Sequence, residues 1–302
     1  MTIQGIDLSS WQTVYDYQAV KNFGIKFAIS KVTESNWWSD NQASARATGF
    51  LKVGIPVAPY HFHRFAATAS VQAAFFKAHV TTENLPPVLD VEDTTIRPRS
   101  IVTATDYQNA LPIAKSALGQ IRDCLAAVAD IFGEPPFWYS GAWYTDWMTY
   151  CWSRAGLDLS WMDRYPKYAA SYTATMIAPK YWNVSIWQNS DRAIIPGIGA
   201  CDHDIWMHTD SEFDTWIQGH GGIPIPGPLP PITPTYPLYR SLAVPWLNVR
   251  NAHSQSGAIL RRIYPTGTFT VYDTWQGTDY LWSKVSLTAQ EWVAMGWATR
   301  IS

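Results

Sequence analysis

Short apolar runs alternate with longer stretches of three-and-four spacing along the first two thirds of this chain. Runs at Ile3–Leu8, Lys26–Val32, Ile55–Phe62, Val88–Glu92, Phe137–Ser140, Tyr168–Tyr172 and Val184–Gln188 predict strands, with a weaker eighth at Cys201–Ile205. Between them, Tyr107, Leu111, Ala114, Leu118, Ile121, Leu125, Val128 and Phe132 recur by threes and fours and predict one face of a helix. Thr105, three residues before Gln108, is its expected cap, and Pro112 is expected to kink its first turns. Strand–helix alternation implies a parallel sheet, and about eight strands over roughly 210 residues suit a closed α/β barrel of the (β/α)8 type. Helical patterns thin out after residue 150, so the barrel is expected to be flattened and partly incomplete there. A doubly wound open sheet is the alternative.

The pattern then breaks. Residues 221–237 hold seven prolines and no charged residue. Proline removes backbone donors and fixes φ, so this stretch reads as an extended, semi-rigid linker. Beyond it, apolar and polar positions alternate in short runs: Leu247–Arg250, Gly267–Tyr272, Leu281–Val285 and Met295–Ala298, with Ser254–Gly257 and Gln276–Thr278 between them. Such runs between turn residues predict a small all-β barrel. The expected organisation is a first domain at 1–220, a Pro/Gly linker at 221–237 and a second domain at 238–302.

Composition narrows the class. The 302 residues carry a net charge of −2, and Lys+Arg against Asp+Glu is 16 to 21 over residues 1–220 but 6 to 3 over 238–302. This lacks the strongly basic face of a nucleic-acid binder. No apolar run approaches the length of a membrane span, so membrane insertion is not expected. Three widely spaced cysteines, Cys124, Cys151 and Cys201, argue against a disulfide framework and for buried thiols made in a reducing compartment. Met1–Asp7 has neither the basic nor the apolar segment of an export signal, so cytoplasmic synthesis is expected.

Candidate chemistry lies where the predicted strands end. Asp7, Lys31, His61, Asp90 with Glu92, Gln188 and Asp202 each fall at or near a C-terminal strand end, where barrels of this type place their active sites. Asp90 and Glu92 are one residue apart in an extended segment, so they share a face with Cα atoms roughly 6–7 Å apart. Like charges that close raise at least one pKa, and an acid still protonated near neutral pH can protonate a glycosidic oxygen. No cofactor is implied. His61 and His63 share a strand face and, with His203 or Asp204, suggest a zinc amidase only weakly, because no His-x-x-x-His spacing recurs. Of the aromatic residues, Tyr60, Tyr139 and Trp187 fall near strand ends, where flat rings can stack on sugars.

In order along the chain, Gly5-Ile6-Asp7-Leu8-Ser9, Lys31-Val32-Thr33-Glu34, Tyr60-His61-Phe62, Leu89-Asp90-Val91-Glu92, Ala170-Ser171-Tyr172, Trp187-Gln188 and Cys201-Asp202 resemble glycoside hydrolase family 25, the Chalaropsis-type lysozymes common among phage endolysins. The resemblance spans about residues 3–215 and departs from the family at Ser35, where glycine is usual. It implies a flattened α/β barrel that cleaves the β-1,4 bond between N-acetylmuramic acid and N-acetylglucosamine in peptidoglycan. Glu92 would be the general acid, with Asp7 facing it. Asp90 would orient the 2-acetamido group, and Asp202 would join the cluster. His61, Tyr60, Tyr139, Trp187, Gln188 and Lys31 would contact substrate. Residues 238–302 are similar to bacterial Src-homology-3-like wall-binding domains. A phage endolysin acting on the wall after release fits both parts. The competing classes are a non-catalytic wall binder, against which the intact acids argue, and a glucosaminidase or amidase.

Overall fold

The short apolar runs of the first two thirds close into a ring. The structure, a computed structural model, describes residues 2–219, 238–243, 246–264, 267–271, 273–276, 280–286 and 289–300. The expected linker, 221–237, lies outside the described residues. Two compact units are present, Met1–Leu229 and Pro230–Ser302.

In chain order the first unit runs β1 (Gln4–Leu8), α1 (Tyr17–Phe23), β2 (Ile25–Glu34), β3 (Trp38–Ser39), α2 (Ala43–Lys52), β4 (Val57–Phe62), α3 (Ala69–His79), β5 (Val88–Asp90), α4 (Ala104–Phe132), β6 (Phe137–Gly141), α5 (Ala142–Arg154), β7 (Lys167–Ala170), β8 (Val184–Ile195), β9 (Gly199–Trp206) and α6 (Asp210–Gly219). Hydrogen-bonded neighbours follow β1-β9-β8-β7-β6-β5-β4-β2, and a β1–β2 ladder joins the two ends, so the sheet closes as an eight-stranded barrel with β3 hung on β2. The expected gap in the barrel is therefore a gap in the helices alone, since no α-helix separates β7, β8 and β9.

The expected all-parallel sheet needs correcting. Pairs from β1–β2 round to β7–β8 are parallel, but β8–β9 and β9–β1 are antiparallel. The cause is the short turn through Gly197: a parallel return needs a crossover of a dozen residues or more, which this connection lacks. The cap of α4 also differs from expectation. Thr103 accepts from the Asp106 amide while the Asp106 side chain accepts from the Thr103 amide, and the helix runs on through Pro112.

Alternation along the strands sorts the interior. Phe27, Ile29, Val88, Phe137, Ile186 and Trp206 point inward, and Phe213 and Trp216 of α6 pack against them. The Trp216 ring lies 5.5 Å from Phe27 and 5.6 Å from Phe137, and stacks at 5.0 Å on Trp206. These rings meet at the N-terminal ends of β2 and β6, so α6 caps that end with apolar surface. Each such buried side chain contributes about 1.5–3 kcal/mol. The other end of the barrel is left for polar groups. Outside the ring, α3, α4 and α5 bury their apolar faces in a second core that includes Phe76, Leu118, Ile121, Leu125, Tyr144 and Met148.

The second unit holds β10 (Leu238–Ser241), β11 (Leu247–Arg250), β12 (Ile259–Ile263), β13 (Thr268–Thr270), β14 (Asp273–Gln276), β15 (Leu281–Lys284), β16 (Trp292–Ala294) and β17 (Ala298–Arg300). They form two antiparallel sheets, β13-β10-β17 and β12-β11-β16-β15-β14, over a core that includes Leu247, Val249, Ile263, Phe269 and Val293. Among the described residues no ladder joins the two sheets into the expected barrel.

Candidate active site

The inward pattern that fills the lower barrel with rings changes chemistry one layer up. Asp7 of β1, Tyr60 of β4, Asp90 of β5, Tyr139 of β6, Tyr168 of β7, Gln188 of β8 and Asp202 of β9 line one cleft with Glu92 and Tyr172, enclosing about 140 Å³. The antiparallel course of β9 explains why Asp202, in the first half of its strand, still reaches the mouth formed by the C-terminal ends of the parallel strands.

A hydrogen-bonded floor connects these groups. Tyr139 and Tyr172 donate to Gln188 Oε1 at 2.8 and 2.6 Å, which turns the Gln188 amide nitrogen toward Asp7 Oδ2 at 2.6 Å. Tyr168 Oη lies 2.7 Å from both Asp7 Oδ2 and Asp204 Oδ1. Among the described residues no conventional donor reaches the buried Asp90 Oδ1 or Asp204 Oδ2, and the carboxyls of Asp202 and Asp204 both lie in hydrogen-bond contact with that of Asp7.

Burial is the first cause of every shift in this cluster. It pushes the carboxyls of Asp7, Asp90, Glu92 and Asp204 above the ordinary carboxylate range, and Asp202 up to about 9. The Glu92 charge adds to the effect on Asp90. Asp7 adds to it on Glu92, while Lys31 and Arg64 hold Glu92 down. Tyr60, Tyr139 and Tyr168 are raised well above the phenol range by burial and the surrounding carboxylates, and so remain neutral donors.

Glu92 itself follows the end of β5, and its main chain is pinned on both sides. The Val91 amide donates to the Tyr139 carbonyl at 3.0 Å, and Ser140 Oγ donates to the Val91 carbonyl at 2.6 Å. On the far side, Tyr144 donates to the Asp93 carbonyl at 2.8 Å, and Asp93 Oδ1 accepts from Arg64 at 2.9 Å. Arg64 also grips Glu34 at 2.7 Å, and Glu34 in turn pairs with Lys31 at 2.8 Å. Lys31 Nζ sits 4.7 Å from the Phe62 ring and 5.1 Å from Trp38. An ionic chain therefore runs from the segment carrying Glu92 to Lys31.

Three residues expected to touch substrate are absent from the cleft lining: Lys31, paired with Glu34 as above, and two others. His61 is wholly buried on the outward face of β4, with Nδ1 2.8 Å from Thr33 Oγ1 and Nε2 3.1 Å from Gln72 Oε1, and burial lowers its pKa to about 4. Trp187 falls between inward-facing Ile186 and Gln188, and its indole nitrogen donates to the Ser171 carbonyl at 2.7 Å. The zinc alternative also loses its geometry: His203 binds Asn189 and Gln4, and no group of three or more ligand-type residues among the described residues is arranged to hold a metal. Sequence reasoning missed Tyr168 and Tyr172 as site residues, and considered Asp204 only for zinc.

A closed α/β barrel whose C-terminal mouth gathers buried acids and phenols around a half-buried glutamic acid is the architecture of a glycoside hydrolase. The family model described as Glycosyl hydrolases family 25 matches residues 6–198, and the chain belongs to that family. The uncharacterised protein YegX of Escherichia coli strain K12 is 29% identical over 231 residues, covering 72% of this chain and 74% of YegX. Lysozyme M1 of Streptomyces globisporus is 36% identical over a shorter stretch of 96 residues, 30% of this chain and 33% of that protein. Among solved structures, the bacterial lysozyme of Streptomyces coelicolor superposes with a TM-score of 0.59 at 22% identity, covering 73% of this chain and 99% of that one. A family 25 glycosyl hydrolase from Bacillus anthracis gives 0.57 at 19% identity, covering 73% and 94%.

Proposed function

We propose that the chain is a peptidoglycan muramidase that cleaves the β-1,4 bond between N-acetylmuramic acid and N-acetylglucosamine, with Glu92 as general acid. The observation that carries this reading is the contrast within the acid pair. Both acids line the cleft, but Asp90 is almost wholly buried at its floor, whereas Glu92 is half-buried on the wall with a raised pKa, so Glu92 can both keep a proton and meet a leaving oxygen. Glu92 gives its proton to the glycosidic oxygen as the C1–O bond breaks. The carbonyl oxygen of the substrate's own 2-acetamido group closes on C1, Asp90 accepts the acetamide N–H, and water then opens the ring intermediate while returning a proton to Glu92. A direct attack by a carboxylate is the rival course.

The second unit is read as the wall-binding part of the molecule, residues 238–302. Its charge of +3 and a cavity of about 340 Å³ lined by Trp246, Asn248, Arg250, Tyr280 and Trp282 support that role. A catalytic unit joined by a linker to a wall binder gains effective substrate concentration. This pairing suits a phage endolysin acting on the wall after release. Two proteins of similar fold, the CTP1L endolysin and ply40 from bacteriophage P40 of Listeria monocytogenes, are endolysins by name.

The test is the chemistry of the cut. Purified walls are digested, reduced with borohydride and hydrolysed, and the new ends identified. Reduced muramic acid is expected, and Glu92→Gln should lower its release by a factor of about 10² or more with wall binding retained. Reduced glucosamine or free peptide would assign a different wall activity, and release of neither would return the chain to the binder class.

A further inference from the structure

Tyr168 raises a question of proton counting. Its hydroxyl oxygen lies 2.7 Å from two carboxyl oxygens, Asp7 Oδ2 and Asp204 Oδ1, yet a phenol has one proton to give. Whichever acid does not receive that proton must supply one of its own. Otherwise two lone pairs face each other at hydrogen-bond distance inside a buried site.

The surrounding bonds decide which acid that is. Gln188 Oε1 already accepts from Tyr139 and Tyr172, so its amide nitrogen is the atom turned to Asp7 Oδ2. Asp7 Oδ2 is therefore an acceptor from Gln188, and a carboxylate oxygen has room for a second donor from Tyr168. Asp204 is the opposite case. It is fully buried, and among the described residues no N–H or hydroxyl of another residue type reaches its second oxygen. It also lies in hydrogen-bond contact with the Asp7 carboxyl, which requires a proton on one of the two acids; that is a poor setting for an anion and a tolerable one for a neutral acid. The groups facing it are Asp7 from β1, Tyr168 from β7, Gln188 from β8 and Asp202 from its own strand.

We infer that Asp204 is a neutral carboxylic acid in the working enzyme, and that it acts through Tyr168 as a positioning residue that keeps Asp7 ionised. The Asp204 hydroxyl donates to Tyr168 Oη, and Tyr168 donates to Asp7 Oδ2. Burial and the neighbouring carboxylates of Asp7 and Asp202 push Asp204 well above the ordinary range, which agrees with the count. The consequence is a division of charge. With Asp204 neutral, the Tyr168 and Gln188 hydrogen bonds concentrate negative charge on Asp7, opposite the half-buried Glu92. An ionised Asp7 is placed to stabilise positive charge developing at the sugar C1. The inference rests on the cleft being the hydrolase site, and its first measurement is independent of any substrate.

That measurement is an infrared difference spectrum between wild type and Asp204→Asn at neutral pH. Loss of one protonated-carboxyl C=O band in the variant is expected. An unchanged protonated-carboxyl region, with a carboxylate band lost instead, would overturn the assignment even if the muramidase reading stands. The second measurement is the pH profile of wall digestion. Tyr168→Phe removes a donor to Asp7, so the acid limb of kcat/KM should move up by about one pH unit and kcat should fall at least tenfold with KM little changed. Asp204→Ala should lower kcat similarly. Asp204→Asn, whose amide can donate where the acid did, should recover activity to within a few-fold of wild type with the acid limb in place. A hundredfold loss in Asp204→Asn at wild-type thermal stability, or an unmoved acid limb in Tyr168→Phe, would refute the relay. If the walls are not cut at all, the infrared result still decides the protonation.

Discussion

The Asp93–Arg64–Glu34–Lys31 chain ties the position of the general acid to its charge state. Arg64 holds the residue next to Glu92 and, with Lys31, opposes the upward push of burial and Asp7 on the Glu92 carboxyl. Arg64→Gln removes one cation and leaves Glu34 and Asp93 less compensated, so every change acts to raise the Glu92 pKa. Because an acid catalyst must be protonated to work, the alkaline limb of kcat/KM should move up, by about half to one pH unit. Arg64→Lys should leave that limb near its wild-type place while kcat falls from the lost two-armed grip. An alkaline limb unmoved in Arg64→Gln would separate Arg64 from Glu92. Much of this cluster was legible at the level of single residues, since Asp7, Asp90, Glu92 and Asp202 stand out as acids at apolar strand ends. The misplacements of His61 and Trp187 have one physical cause. Tyr60 and His61 are adjacent in a strand, as are Trp187 and Gln188, and a pleat allows only one of each pair to face inward. Tyr168 was missed, and Asp204 weighed only as a zinc ligand, because hydrogen bonding to other side chains leaves no sequence signal, although their register with Ala170 and Trp206 on the inward face was available.

Among elements, the β-strands were the most readable, because eight short apolar runs yielded the eight barrel strands. The turns decided what the runs could not. Gly197 lies in the turn between β8 and β9 with φ +91°, and a Cβ there would come within 2.1 Å of the Asp16 carbonyl oxygen. Its own carbonyl accepts from the Tyr15 and Asp16 amides at 2.9 and 3.2 Å, so this turn fastens the antiparallel hairpin to the start of α1. Ser35 is the reverse case: it holds φ +53° in the β2–β3 turn while fully enclosed, in a conformation that costs a side chain about 1–2 kcal/mol. The departure from glycine noted at Ser35 thus has a physical meaning. Gly197→Ala should destabilise the barrel by about 2 kcal/mol or more, and Ser35→Gly should stabilise it by about 0.5 kcal/mol once the extra freedom of glycine in the unfolded chain is subtracted. Urea unfolding of the two variants checks the opposite signs; a shared sign would mean that backbone strain does not control these turns.

At the scale of the whole molecule, each unit carries its own apolar clusters. The first closes its barrel and caps the lower end with Phe213 and Trp216 of α6, and the second packs its two sheets over Leu247, Val249, Phe269 and Val293. A chain cut after Gly219 keeps every strand of the barrel and all of α6. It should therefore unfold cooperatively, with thermal stability within a few degrees of that of the first unit in the full chain. What it should lose is concentration on the wall. If the second unit tethers the enzyme, lysis of intact walls falls by tenfold or more, while turnover on soluble glycan fragments, which cannot hold a tether, stays near that of the full chain. Equal losses on both substrates would place the defect in the barrel itself. Equal activity on both would leave the second unit without a binding role, and its cavity between Trp246 and Trp282 without a wall ligand. The salt dependence adds a separate readout, because the +3 balance of residues 238–302 acts over about 10 Å at 0.1 M salt. Raising salt should weaken wall retention of the full chain and leave the truncated one almost unaffected.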